Sequence, residues 1–104
     1  MRSRYAAYAV RNAEYIIGTT HSSSPHKDPW HERWAEQICN FCDNMDFPHL
    51  TIHSSSQTET EGHVHFTAGL IAGSEDRSFT ERSVFYKVNG RWLYHSGVSL
   101  ENPL

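Results

Sequence analysis

The chain has 104 residues, with nine Lys and Arg against twelve Asp and Glu, a formal net charge of −3, eight histidines and two cysteines. That length fits one domain, so a single domain over residues 1–104 is expected. The slight acidity, with no short window dominated by Lys and Arg, argues against sequence-independent nucleic-acid binding. No run approaches the ~20 consecutive apolar residues of a membrane-spanning helix, and two cysteines are too few for a disulfide framework.

The first third reads as helix. Tyr5, Tyr8, Ala9, Tyr15 and Ile16 form an apolar stripe, with Arg2, Arg4, Arg11 and Glu14 mostly opposite. The basic start leads into this amphipathic stretch rather than into the apolar core of a signal peptide, so a cytoplasmic location is expected. The pattern weakens at Arg11-Asn12, which predicts two short helices, over roughly 3–11 and 13–19. Gly18-Thr19-Thr20 and the polar run from His21 to Lys27 end them. Asp28-Pro29 reads as the N-cap and first position of a third helix. Its Trp30, Trp34, Ile38 and Phe41/Cys42 recur as one apolar stripe that stops before Asn44 and Pro48.

After Phe47-Pro48 the apolar period becomes two, the signature of strands. Leu50 and Ile52 alternate with polar neighbours, and a polar loop is expected from Ser54 to Gly62. Val64, Phe66, Ala68 and Leu70 mark the next strand, and a turn near Ser74-Glu75 leads into Phe79–Val88. Asn89-Gly90 is a type I′ hairpin signal, with Arg91 to Gly97 as the last strand. A two-residue turn there sets Phe85 opposite Tyr94 and Lys87 opposite Trp92. A turn between Ser74 and Glu75 sets Ala68 opposite Glu81 and Phe66 opposite Ser83. Opposed residues share a face. Glu81, Ser83, Phe85, Trp92, Tyr94 and Ser96 are therefore expected to look toward the helices, with Arg82, Val84, Tyr86, Val88, Leu93 and His95 on the outer face. The expected architecture is α+β: N-terminal helices on one face of an antiparallel sheet of about four strands.

Particular residues extend this reading. Met1-Arg2-Ser3-Arg4-Tyr5 with Tyr8, then Tyr15-Ile16-Ile17 and Thr19, and later Glu81-Arg82-Ser83 with Phe85 and Gly90-Arg91-Trp92 with Tyr94 and Gly97, resemble the YchJ-like middle domain in order and over nearly the whole chain. The resemblance implies the cone-shaped fold of nuclear transport factor 2-like proteins, whose curved sheet wraps a long helix and leaves a pocket. Relatives often flank this domain with cysteine-rich SEC-C motifs that bind zinc. The paired cysteines of those motifs are missing here, so zinc binding does not carry over, and the chain reads as a stand-alone version or an excised middle domain. The resemblance defines no biochemical role, and the fold hosts enzymes and binding modules alike.

Several constellations could carry chemistry. Glu81 is expected inward, where a carboxylate is costly unless a cation or several donors meet it. A structural ion pair with Arg2 or Arg4 is the preferred reading. The alternative makes Glu81 a general acid/base in a pocket lined by Arg4, Tyr8, Ser83, Phe85, Trp92 and Tyr94. No His or Asp is placed beside it by the register, which leans against catalysis. His53 and His63 flank the polar loop, and an in-register hairpin would set them opposite each other, with Thr51 opposite His65. These three histidines are weak metal candidates, since no acidic or thiol ligand in the strands completes a set. Cys39-Asn40-Phe41-Cys42 closes a helix instead of opening one, the wrong end for an activated thiol. On the outer face, Val84, Tyr86 and Leu93 form an apolar patch, and both that patch and the resemblance suggest a homodimer. No cofactor is expected. The preferred function is a non-catalytic binding or accessory module for a small molecule or peptide; the alternative is a small hydrolase or isomerase using Glu81.

Overall fold

The computed structural model describes residues 1–100; the last four positions of the expected domain lie outside the described residues. Three helices come first, α1 (Arg2–Ala9), α2 (Ala13–Gly18) and α3 (His31–Asp43). The break between α1 and α2 falls at Arg11, whose φ of 59° is left-handed. The Asn12 side chain then caps α2 by accepting from the Tyr15 amide at 3.2 Å. The third helix starts later than Asp28-Pro29 predicted. Asp28 instead accepts from the Trp30 amide and binds Arg33, and helical structure begins at His31. Trp30 therefore leaves the expected stripe and stands 68% exposed. The inward face of α3 consists of Trp34, Ile38 and Cys42, and packs on Ala7, Ala13 and Ile16.

The strands are β1 (Met45–Asp46), β2 (Leu50–Gln57), β3 (Glu61–Ala68), β4 (Ile71–Ala72), β5 (Glu75–Asp76), β6 (Phe79–Val88) and β7 (Arg91–Ser99). An antiparallel four-stranded sheet has the order β2-β3-β6-β7, and β1, β4 and β5 make a small additional sheet that the sequence did not announce. Phe66, Ala68 and Phe85 are the buried apolar residues on the inner face of the four-stranded sheet, with Leu70 just past the end of β3. The architecture is α+β, helices on the concave side of a sheet.

The β6–β7 hairpin has the expected register from Phe85 to the turn, with Phe85 opposite Tyr94 and Lys87 opposite Trp92. Asn89 and Gly90 both take positive φ, 52° and 80°, as a type I′ turn requires. The pairing differs from expectation at three places. The β4–β5 turn centres on Gly73-Ser74, one residue earlier, so Phe66 faces Glu81 and Val64 faces Ser83. That slip moves each partner by two residues, which preserves the faces. Strand β2 runs on to Gln57, and an irregularity at His53 sets Ser54 opposite His65 and Ser56 opposite His63. His53 and His63 are therefore not opposed, and Thr51 faces Thr67. Finally, a bulge in β7 around His95 pairs Val84 with Ser96 and Ser83 with Gly97. Ser96 moves to the outer face and Gly97 takes the inner position assigned to it.

Gly90→Ala forces a side chain into a left-handed conformation and is expected to cost about 1 kcal/mol. Urea denaturation should show a lower midpoint at unchanged slope.

Candidate functional site

The inner end of β7 is held by backbone as well as by the sheet. After α2 the chain runs beside β7: the Tyr94 amide donates to the Thr19 carbonyl and the His21 amide to the Tyr94 carbonyl, both at 2.7 Å. Arg4 reaches the same place from α1. Its side chain is only 6% exposed. Nη1 donates to the Ile16 carbonyl (3.1 Å), Thr19 Oγ1 (2.7 Å) and Thr20 Oγ1 (3.4 Å), and the guanidinium carbon lies 4.6 Å from the centre of the Tyr94 ring. The expected Arg4–Glu81 ion pair does not form, and Arg2 does not replace it: among the described residues no salt bridge involves Glu81. Arg4 meets the end of α2 instead, where the helix dipole and free carbonyls favour a cation.

Glu81 is held by hydroxyls. Ser83 Oγ donates to its Oε2 at 2.6 Å, and Tyr94 Oη lies 3.5 Å from the same oxygen. The carboxylate lies over Gly97, where an added Cβ would collide with its carbon and both oxygens. The bulge at His95 thus does structural work for the site, because it brings a residue without a side chain opposite Ser83.

A cavity of about 520 Å³ opens between this group and the helices. Arg4, Tyr8, Glu81 and Tyr94 line it, with Tyr5, Trp34, Phe41, Phe47, Phe66 and Phe79 as aromatic walls. Of the other residues expected there, Phe85 and Trp92 line a separate cavity of about 190 Å³ on which Arg4 also borders. Ser83 is fully buried beneath Glu81 and lines neither. His26 is an addition that periodicity could not provide. It sits in the loop before α3, lines the main cavity and stands 6.0 Å from the Tyr94 ring.

Burial sets the electrostatics. It lowers the Arg4 guanidinium from its usual range, and the neighbouring tyrosines work against that shift. Tyr94 is pushed well above the usual phenol range, by burial first and then by the Glu81 carboxylate, with Arg4 opposing. Tyr8 is raised by burial, again with Arg4 opposing, and Tyr5, whose hydroxyl donates to the Gly69 carbonyl at 2.8 Å, is raised as well.

The remaining candidates lie elsewhere. The rings of His53 and His65 are 4.8 Å apart on the outer face, but His53 Nε2 is engaged with Thr67 Oγ1 at 2.7 Å. His63 faces Glu61 at 3.4 Å. Among the described residues no group of three or more His, Cys, Asp or Glu is arranged to hold a metal ion. Both cysteines are free, and burial raises the Cys42 thiol, away from reactivity. Val84, Tyr86 and Leu93 are half-buried on the outer face, where His21 and His95 pack against Tyr86. No helix among the described residues is long and apolar enough to cross a membrane.

Comparison with known proteins places this arrangement. Residues 1–97 match the family model described as YchJ, middle NTF2-like domain. The chain belongs to that family. A UPF0225 protein of Pectobacterium carotovorum subsp. carotovorum is 35% identical over 106 residues, covering 97% of this chain and 65% of its own length. A second UPF0225 protein, from Enterobacter sp., is 35% identical with 94% and 62% covered, so the chain spans less than two thirds of these curated relatives. The solution structure of a SEC-C motif containing protein from Rhodopseudomonas palustris superposes with a TM-score of 0.78 at 35% identity, over 97% of this chain and 76% of that one. An LEH-like epoxide hydrolase of M. tuberculosis shares the fold, with a TM-score of 0.64 at 16% identity, covering 91% of this chain and 75% of its own.

Two outcomes follow from the site. Gly97→Ala should displace Glu81 from Ser83 and Tyr94 and cost about 1–2 kcal/mol. The same change in a Glu81→Ala background should be nearly neutral, a coupling that a double-mutant cycle by denaturation would expose. Raised phenol values mean that the fold favours the protonated forms of Tyr5, Tyr8 and Tyr94. That contribution is fully present below about pH 10, the ordinary phenol value, and is lost as pH rises through the higher folded-state values. Ultraviolet titration should therefore show a late-ionising component, and Tyr94→Phe should remove the latest part of it.

Proposed function

We propose that the domain is a binding module whose main cavity receives a small molecule or a short peptide segment. The observation that carries this reading is the composition of the cavity. About 520 Å³ of space is walled by aromatic rings while Glu81, Tyr94 and Arg4 converge on one end. An apolar pocket with a few placed polar groups is the usual form of a small-molecule site. The volume lies within the ~300–1,000 Å³ common for such sites.

A second reading, a small hydrolase or isomerase with Glu81 as acid/base, is favoured by His26. It adds to the cavity a histidine, the kind of side chain that the register alone did not place near Glu81. A binding role needs only the aromatic walls and the polar groups at one end, and so explains the geometry with fewer parts. Sharing a fold with an epoxide hydrolase at 16% identity adds no weight, because fold and chemistry are separable.

Amide NMR titration with a library of aromatic fragments tests the proposal. Shifts are expected at Phe66, Phe79, Glu81 and Tyr94. Shifts confined to the outer-face residues Val84, Tyr86 and Leu93, or none with any fragment, would overturn it.

A further inference from the structure

We infer that the ligand of this cavity carries a protonated amine on an aromatic or apolar body, with Glu81 as its counter-ion; the inference rests on the cavity being a binding site. Glu81 is the one carboxylate lining the cavity among the described residues. Its two hydroxyl partners, Ser83 and Tyr94, both approach Oε2. Oε1 has no hydrogen-bond partner among the described residues, and no buried side-chain nitrogen or oxygen there lacks one. Oε1 is therefore not sealed off, and Glu81 borders the cavity. A carboxylate that is half-buried and has no cation paired with it calls for a charged donor.

The walls point the same way. Aromatic faces carry negative electrostatic potential and attract cations, as Tyr94 already does toward Arg4. An ammonium at Glu81 would sit among Tyr94, Phe66 and Phe79, which border the same cavity.

Arg4 and the Met1 amino group also border the cavity, and an anion drawn to either is the opposite outcome. Burial lowers the amino group from its usual range, and exposure counts against Arg4. Arg4 is 6% exposed, whereas Glu81 is only partly covered. Nη1 is already committed to one carbonyl and two hydroxyls, and the guanidinium is stacked on Tyr94; Nε and Nη2 have no hydrogen-bond partner among the described residues, so the difference between the two groups is one of exposure. Of the Arg4 and Glu81 side chains, Glu81 is the more open to an incoming ligand.

Matched probes test this: phenethylammonium, phenethyl alcohol and phenylacetate, titrated into the full chain at neutral pH and followed by NMR. Phenethylammonium should bind at least about tenfold tighter than the alcohol, the ratio expected of one charge-assisted hydrogen bond, with phenylacetate weakest. Glu81→Gln should abolish the preference for the ammonium over the alcohol. Tightest binding by phenylacetate, or equal binding of ammonium and alcohol, would overturn the inference and leave the binding site standing. If none of the three shifts cavity residues, both fail. The ranking in the unmodified chain decides even if Glu81→Gln does not fold.

Discussion

A buried guanidinium organises this small domain. Arg4 projects from the first helix into a place where a cation is costly unless its donors are satisfied. It finds the end of α2 and two threonine hydroxyls rather than a carboxylate. Those threonines belong to the segment that hydrogen-bonds along Tyr94 of the last strand, and the guanidinium also lies over the Tyr94 ring. One side chain thus ties together the first helix, the second helix and the edge of the sheet. The fork geometry and permanent charge of arginine suit it to several acceptors at once, which a lysine could not match.

Because Arg4 is satisfied at α2, Glu81 is left without a cation. The two charges share Tyr94, one over its ring face and one at its hydroxyl, without meeting. A carboxylate kept this way needs room, and the bulge in β7 supplies it by bringing Gly97 opposite Ser83. Bulges near functional positions often re-aim side chains; this one removes a side chain from the inner face. The cavity exists because the helical layer packs mainly on itself through Ile16, Ile38 and Cys42, and leaves the aromatic inner surface of the sheet partly uncovered.

Local chemistry made much of this legible. Asn89-Gly90 permits a tight turn with two positive φ values, so the half of the last hairpin nearest the turn, from Phe85 to Tyr94, could be written out residue by residue. Alternation then carried the assignment of faces across three strands, and it survived a turn misplaced by one residue because the partner shift was two. His53 shows the limit of the method. A single irregularity there destroyed the parity on which the pairing of the histidines depended, and nothing in the run His53-Ser54-Ser55-Ser56 signals it. The bulge at His95 was equally silent, so Ser96 was expected where Gly97 stands. Trp30 was drawn into the helix by its spacing, although the Asp28 side chain holds the chain outside the helix until His31.

By itself the sequence determined the class of fold, the order of helices and strands, and which side of the sheet holds Glu81, Phe85 and Tyr94. All of these follow from periodicity and turn chemistry, which act over a few neighbouring residues. Only the tertiary structure decided that Arg4 binds the end of α2, that His26 reaches the cavity, and that Phe85 and Trp92 border a different space from Glu81. Those outcomes depend on distances between elements far apart in the chain. There, burial and the need to satisfy every polar group choose among partners that the linear pattern leaves equivalent.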